Sequence, residues 1–232
     1  MGDVSARRIG MLLYPCMTQL DLTGPYEVFA RLPNTRVSLI AQRPDPVETD
    51  RGLIILPTAT YEDCPQVDVI VVPGGPGQQD LMDDAPTLDF LRQQAKGASY
   101  VTSACTGSLV LGAAGLLKGR RATCHWGVID LLSHFGAIPT HERIVADGNI
   151  ITAAGVASGI DFALALAALL NGEAVAREVQ LHIEYDPAPP FDSGSPRTAT
   201  PELVARLRAR GAKLYAARAE TAGRIGIKIS QA

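Results

Sequence analysis

The stretch Tyr100-Val-Thr-Ser-Ala-Cys-Thr-Gly-Ser-Leu-Val-Leu-Gly-Ala-Ala-Gly-Leu-Leu117 decides the fold. A β-type run from Tyr100 to Ala104 ends on Cys105, and an apolar helical run through Leu109, Val110, Ala113 and Leu116 starts at once. Ser103, Ala104, Gly107 and Ser108 crowd the junction with small side chains, so the chain can turn from strand to helix without a clash. A sulfur on such a turn sits at a helix N-terminus, where unpaired N–H groups favour an anion. The turn therefore predicts a lowered thiol pKa and a thiolate nucleophile at Cys105. The competing reading is a buried, inert cysteine, because free cysteines are among the most buried residues.

Working outward, short apolar runs alternate with amphipathic segments. Strands are predicted at Ile9–Tyr14, Val37–Ala41, Leu53–Leu56 and Val67–Val72, with a hairpin pairing Arg143–Ala146 and Ile150–Ala153 around Asp147-Gly148-Asn149. Helices are predicted at Leu20–Leu32, its start marked by Gly24-Pro25, and at Pro86–Lys96, Thr106–Leu117, Trp126–Phe135, Ile160–Leu170 and Val175–Glu184. The prolines and glycines of Asp186–Pro196 predict an extended arm, followed by a charged helix at Pro201–Ala222. This alternation points to an α/β fold with a doubly wound, mostly parallel sheet between helices, in a single domain over residues 1–232. Ligands bind such sheets beyond the carboxyl ends of the strands, where the Pro73-Gly-Gly-Pro-Gly77 loop and the Cys105 turn should be neighbours.

Composition narrows the class. With 232 residues, 47% of them hydrophobic and 19% charged, the chain can build a sizeable globular core. A net charge of −3 gives no bulk attraction to nucleic acid or acidic membranes. No signal-peptide core follows Met1, and Gly159–Leu170 is too short to span a bilayer and contains Asp161. The four cysteines, at 16, 64, 105 and 124, form no CxxC pair, so a cytoplasmic protein with free thiols is expected.

A nucleophile needs oxyanion donors and a proton-transfer partner. The Thr106 N–H, just past the cysteine, is one expected donor, and the Gly75 N–H is a second. Asp21, in Thr18-Gln-Leu-Asp-Leu-Thr-Gly-Pro25, follows the first strand and reads either as a proton carrier or as a helix-cap aspartate. His125 reads as a base or as a packed histidine at a helix start. No metal-ligand spacing and no phosphate-binding glycine motif is present.

Together, Gln19-Leu-Asp-Leu-Thr-Gly-Pro25, Val72-Pro-Gly-Gly75 and Thr102-Ser-Ala-Cys-Thr-Gly-Ser108 resemble the class I glutamine-amidotransferase-like, or ThiJ/PfpI, superfamily. The resemblance covers almost the whole chain. It implies a flavodoxin-like homodimer without metal or organic cofactor, Cys105 as nucleophile, Asp21 as acid/base and Thr106 beside the thiol. The tail, Glu184-Tyr-Asp-Pro-Ala-Pro-Pro-Phe191 with Gly194-Ser-Pro196, is similar to that of members hydrating isocyanides to N-substituted formamides, so the resemblance implies a hydro-lyase acting through a cysteine thioimidate. Peptidase-like members carry His after Cys, and Thr106 departs from them. Ala153-Ala154 stand where a glycine run is expected in the hydratases. Three other readings within the superfamily are a ligand-sensing domain like that of AraC-type regulators, a glyoxalase- or deglycase-type enzyme, and a redox sensor at Cys105.

Overall fold

In the computed structural model, which describes residues 6–231, the strands in chain order are β1 (Arg7–Leu12), β2 (Thr35–Ala41), β3 (Val47–Glu48), β4 (Ile54–Ile55), β5 (Ala59–Thr60), β6 (Val69–Val72), β7 (Tyr100–Ala104), β8 (Arg121–Ala122), β9 (Ile138–Pro139), β10 (Ile144–Asp147) and β11 (Ile150–Ala153). The helices are α1 (Gln19–Phe29), α2 (Gln78–Leu81), α3 (Ala85–Gly97), α4 (Gly107–Ala113), α5 (Ser158–Asn171), α6 (Glu173–His182) and α7 (Pro201–Gln231), with a 3-10 helix at Ile129–Phe135.

Seven strands form one sheet in the order β10-β11-β7-β6-β1-β2-β5. All its pairings are parallel except β10 with β11, whose hairpin turns on Gly148 at a φ of 62°. Every residue of β6 and β11 is buried, as a parallel sheet flanked by helices requires. The doubly wound architecture read from the alternation is therefore the one observed. Because β6 lies between β1 and β7, the loops leaving all three converge at one edge of the sheet. That shared edge places segments 13–18, 73–77 and 105–106 together.

Four local readings need correction. Gly24-Pro25 does not start α1. The helix begins at Gln19, with Pro25 inside it. Tertiary packing overrides the local rule: a Cβ on Gly159 would sit 3.1 Å from the Pro25 ring, and one on Gly24 would sit 3.2 Å from Ile160. Close contact between α1 and α5 thus uses the residues that look like a helix breaker, and Phe29 meets Phe162 edge-on at 5.9 Å behind it. The Leu53–Leu56 segment supplies β4, which pairs with β3 in a separate two-stranded sheet, while β5 takes the main sheet's edge. Trp126–Phe135 holds a 3-10 helix closed by Gly136 at a φ of 71°, rather than an α-helix. The C-terminal helix runs nine residues past Ala222, to Gln231. Among the described residues no helix is long and apolar enough to cross a membrane.

Candidate active site

Cys105 occupies the sharp turn between β7 and α4 with a φ of 55°, a conformation few non-glycine residues adopt. Its N–H donates to the Ala153 carbonyl at 3.0 Å, which fastens the turn to β11. A Cβ on Gly107 would lie 2.1 Å from the Val72 carbonyl oxygen, so only glycine lets the start of α4 approach β6 this closely. The small polar residues of the junction also close it internally. The Ser108 hydroxyl donates to the Thr123 carbonyl at 2.7 Å and lies 2.9 Å from the Ser103 hydroxyl.

Asp21 stands in the first turn of α1 and is fully buried. Its Oδ2 accepts the Gly74 N–H at 3.0 Å, its Oδ1 has no hydrogen-bond partner among the described residues, and the carboxyl and the Cys105 thiol each act on the other's ionisation. Burial is the main force on its ionisation and pushes its pKa up to about 7, against the pull of Cys105 and of the Gly74 N–H. Cys105, 5% exposed, is also pushed well above the ordinary thiol range, first by burial and next by the charge of Asp21. The Thr106 N–H beside the sulfur pulls the other way. The sequence expectation of a lowered thiol pKa is thus reversed. A two-turn helix cannot offset burial beside a carboxylate, and the two groups titrate as one coupled pair.

The glycine loop divides its N–H groups. Gly74 serves Asp21, whereas the Gly75 N–H donates to Thr106 Oγ1 at 3.0 Å. The expected oxyanion donor Gly75 is therefore already engaged, and its contribution is to orient Thr106. A Cβ on Gly74 would fall 2.4 Å from the Thr106 nitrogen and 2.9 Å from Asp21 Oδ2, so the two functional segments meet across that glycine. The expected adjacency of the glycine loop and the cysteine turn holds, and Asp21 joins them.

His125 is placed differently. Its Nδ1 accepts the Gly127 N–H at 3.2 Å, so the neutral ring carries its proton on Nε2. Burial, followed by repulsion from Arg218, lowers its pKa. It is Asp21, not His125, whose ionisation is tied to that of the thiol. His125 instead lines a cavity of about 360 Å³ whose walls include Trp126, His141, Arg143, Val156 and Pro196, the last from the proline-rich arm. Cys105 and Asp21 do not line this cavity. Its walls do include Ala154, next to the residue that accepts the Cys105 N–H, and Cys124, whose charge Cys105 feels. Cys124 itself is buried and pushed to about 12, while Cys16 and Cys64 lie outside this group. No group of three or more potential metal ligands occurs among the described residues.

Two residues escaped the sequence reading. The Tyr14 hydroxyl, just after β1, donates to the Pro73 carbonyl at 2.8 Å, and burial followed by the Asp21 charge raises its pKa well above the usual tyrosine range. Arg218 of α7 reaches the glycine loop and donates from Nη2 to the Gly75 carbonyl at 2.9 Å. The available signal was helical spacing: Arg218 shares a face with Thr221, Ala222 and Ile225, all buried, so an arginine fills a core-facing slot.

The chain is 55% identical to the isonitrile hydratase of Pseudomonas putida over 225 residues, covering 97% of this chain and 99% of that one. A crystal structure of a ThiJ/PfpI family protein from Pseudomonas syringae superimposes with a TM-score of 0.91 at 44% identity, covering 96% of this chain and 94% of that one. Protein DJ-1alpha of Drosophila melanogaster is 32% identical over 181 residues, 76% of this chain and 83% of its own. The DJ-1/PfpI family model matches residues 7–169, and the chain belongs to that family.

Proposed function

We propose that this protein is an isocyanide hydratase, converting R–N≡C and water to the N-substituted formamide through a covalent thioimidate on Cys105. One observation carries the reading. The fully buried Asp21 carboxyl, pushed up to about 7 by burial, sits beside the cysteine turn, the two segments meeting across Gly74, so a thiol and a proton carrier share one site. An isocyanide needs that combination, because attack on its terminal carbon leaves negative charge there unless a proton arrives as the bond forms. The likeness to the Pseudomonas putida isonitrile hydratase over nearly the full length supports the same chemistry.

The steps balance as follows. The Cys105 thiol passes its proton to the Asp21 carboxylate as the sulfur bonds to the isocyanide carbon. Asp21 delivers its proton to that carbon, which gives R–N=CH–S–Cys105 and an Asp21 carboxylate. The carboxylate takes a proton from water as the hydroxide adds to the same carbon. A proton passes from the new hydroxyl to nitrogen, and the C–S bond breaks. R–NH–CHO leaves, and the released thiolate takes the proton back from Asp21, which restores the starting thiol and carboxylate. The Thr106 N–H faces the sulfur and steadies its charge, and Gly75 keeps Thr106 in place through Oγ1.

The test is formamide production from cyclohexyl isocyanide, followed by mass spectrometry of the intact protein. Wild type should turn over and show a Cys105 adduct under single-turnover conditions, and Cys105→Ala should do neither. Undiminished turnover by Cys105→Ala rules out the covalent scheme. Light scattering on the same samples tests the homodimer that belongs to this reading.

A further inference from the structure

Successive peptide units of the glycine loop frame the site, and each is held from a different part of the chain. The Pro73–Gly74 unit accepts the Tyr14 hydroxyl at 2.8 Å and gives its N–H to Asp21 Oδ2 at 3.0 Å. The Gly74–Gly75 unit accepts the Thr18 N–H at 2.9 Å and gives its N–H to Thr106 Oγ1 at 3.0 Å. The Gly75–Pro76 unit has no N–H to give, because proline lacks one. Its carbonyl accepts Arg218 Nη2 at 2.9 Å, the Thr106 hydroxyl at 3.3 Å and the Gln78 N–H at 3.3 Å. The Arg218 bond is the shortest of the three, and its charged donor makes it the strongest.

Gly75 needs that hold. Its φ is 132°, a backbone that residues with a side chain rarely adopt, and a Cβ there would fall 2.3 Å from the Thr18 nitrogen. With no side chain to restrict them, the peptide planes on both sides of Gly75 turn easily unless their polar atoms are fixed. Arg218 fixes the second plane from α7, and three residues further along that helix Thr221 Oγ1 accepts Gln79 Nε2 at 2.9 Å. An arginine is otherwise an unfavourable way to fill this slot. Only 7% of it is exposed, its Nε has no hydrogen-bond partner, and no ion pair among the described residues includes it. An apolar side chain of similar volume would avoid the desolvation. What it could not do is hold the Gly75 carbonyl.

We propose that Arg218 is a positioning residue: by holding the Gly75 carbonyl it keeps the Gly74 and Gly75 N–H groups aimed at Asp21 and Thr106, and so keeps the carboxyl aligned with the cysteine turn. It acts through the loop and touches no reacting atom. The proposal deepens the hydratase reading and rests on the roles given there to Asp21 and Cys105.

Two readouts on the full-length protein test it. One is steady-state turnover of cyclohexyl isocyanide. The other is amide hydrogen exchange, followed by mass spectrometry on the peptide spanning Val72 to Leu81, with a peptide covering β11 as control. Wild type is compared with Arg218→Met, which fills the slot without a donor, and with Arg218→Lys, which keeps one. Arg218→Met should lose roughly ten- to a hundredfold in kcat while KM stays within about twofold. Its loop amides should exchange about tenfold faster or more, and its β11 amides at the wild-type rate. Arg218→Lys should lie between the two in both readouts. Wild-type kcat or wild-type loop exchange in folded Arg218→Met overturns the proposal. Equally faster exchange in β11, or failure of both variants to fold, also overturns it, because the role is then structural. If Arg218→Met alone fails to fold, Arg218→Lys decides: slower turnover with faster loop exchange supports the proposal, and wild-type behaviour overturns it. If wild type itself does not turn over, the hydratase reading fails, and the exchange rates alone decide whether Arg218 holds the loop.

Discussion

Replacing Asp21 by asparagine should destroy activity and yet stabilise the protein at alkaline pH. The carboxyl is fully buried and its folded pKa lies at about 7, against an ordinary value of 3.8. A folded pKa above the unfolded one means that the neutral acid is the form the fold accepts. Its contribution to stability is complete below 3.8 and is lost as pH rises through about 7. The shift from 3.8 to about 7 corresponds to roughly 4 kcal/mol at pH 8, an upper bound that already includes every charge in the site. Asparagine keeps an oxygen for the Gly74 N–H and stays neutral at all pH. If reorganisation absorbs half the gain, about 2 kcal/mol remains, or roughly 4–8 °C in Tm for a chain this size. Thermal melts of wild type and Asp21→Asn at equal concentration, at pH 4 and pH 8, read the effect directly. The advantage of the variant should be near zero at pH 4 or below, should open between about pH 4 and 7, and should level off by pH 8. An advantage that does not change with pH, or a variant less stable than wild type at pH 8, would refute the assignment of burial as the force on this carboxyl. Isocyanide turnover in the same samples should fall by orders of magnitude, since the proton donor is gone.

Substitutions at two further positions probe the contact between the glycine loop and the cysteine turn. Gly74→Ala places a methyl 2.4 Å from the Thr106 nitrogen and 2.9 Å from Asp21 Oδ2, so it should cut turnover at least about tenfold by separating acid from nucleophile, which steady-state kinetics would show mainly in kcat. Thr106→Val leaves the buried Gly75 N–H without its acceptor and should lower stability by about 1–3 kcal/mol in denaturant melts, while Thr106→Ser should recover most of it.

Much of this protein follows from local rules. The apolar run ending at Val72, the small residues around Cys105 and the Asp147-Gly148-Asn149 turn each state a backbone preference that needs no distant partner, and the sheet and its cysteine elbow follow from them. Asp21 was legible for a similar reason: a carboxylate just after the first strand must lie near the strand ends. Local rules failed where packing outweighed them. Gly24-Pro25 resembles a helix start, but its small, rigid surface is what α5 packs against, so it sits inside α1.

The sequence by itself therefore determined the sheet, the elbow and the placement of Cys105 and Asp21 near the strand ends, because periodicity and turn chemistry act over a few residues. The tertiary structure alone decided the electrostatics. Burial raises Asp21 to about 7 and raises Cys105 with it, Gly75 turns its N–H to Thr106, and Arg218 arrives from the last helix. The physical reason is that a charge responds to everything within several ångströms, and here its neighbours come from β1, α1, the glycine loop, the elbow and α7, which the chain brings together only when it folds.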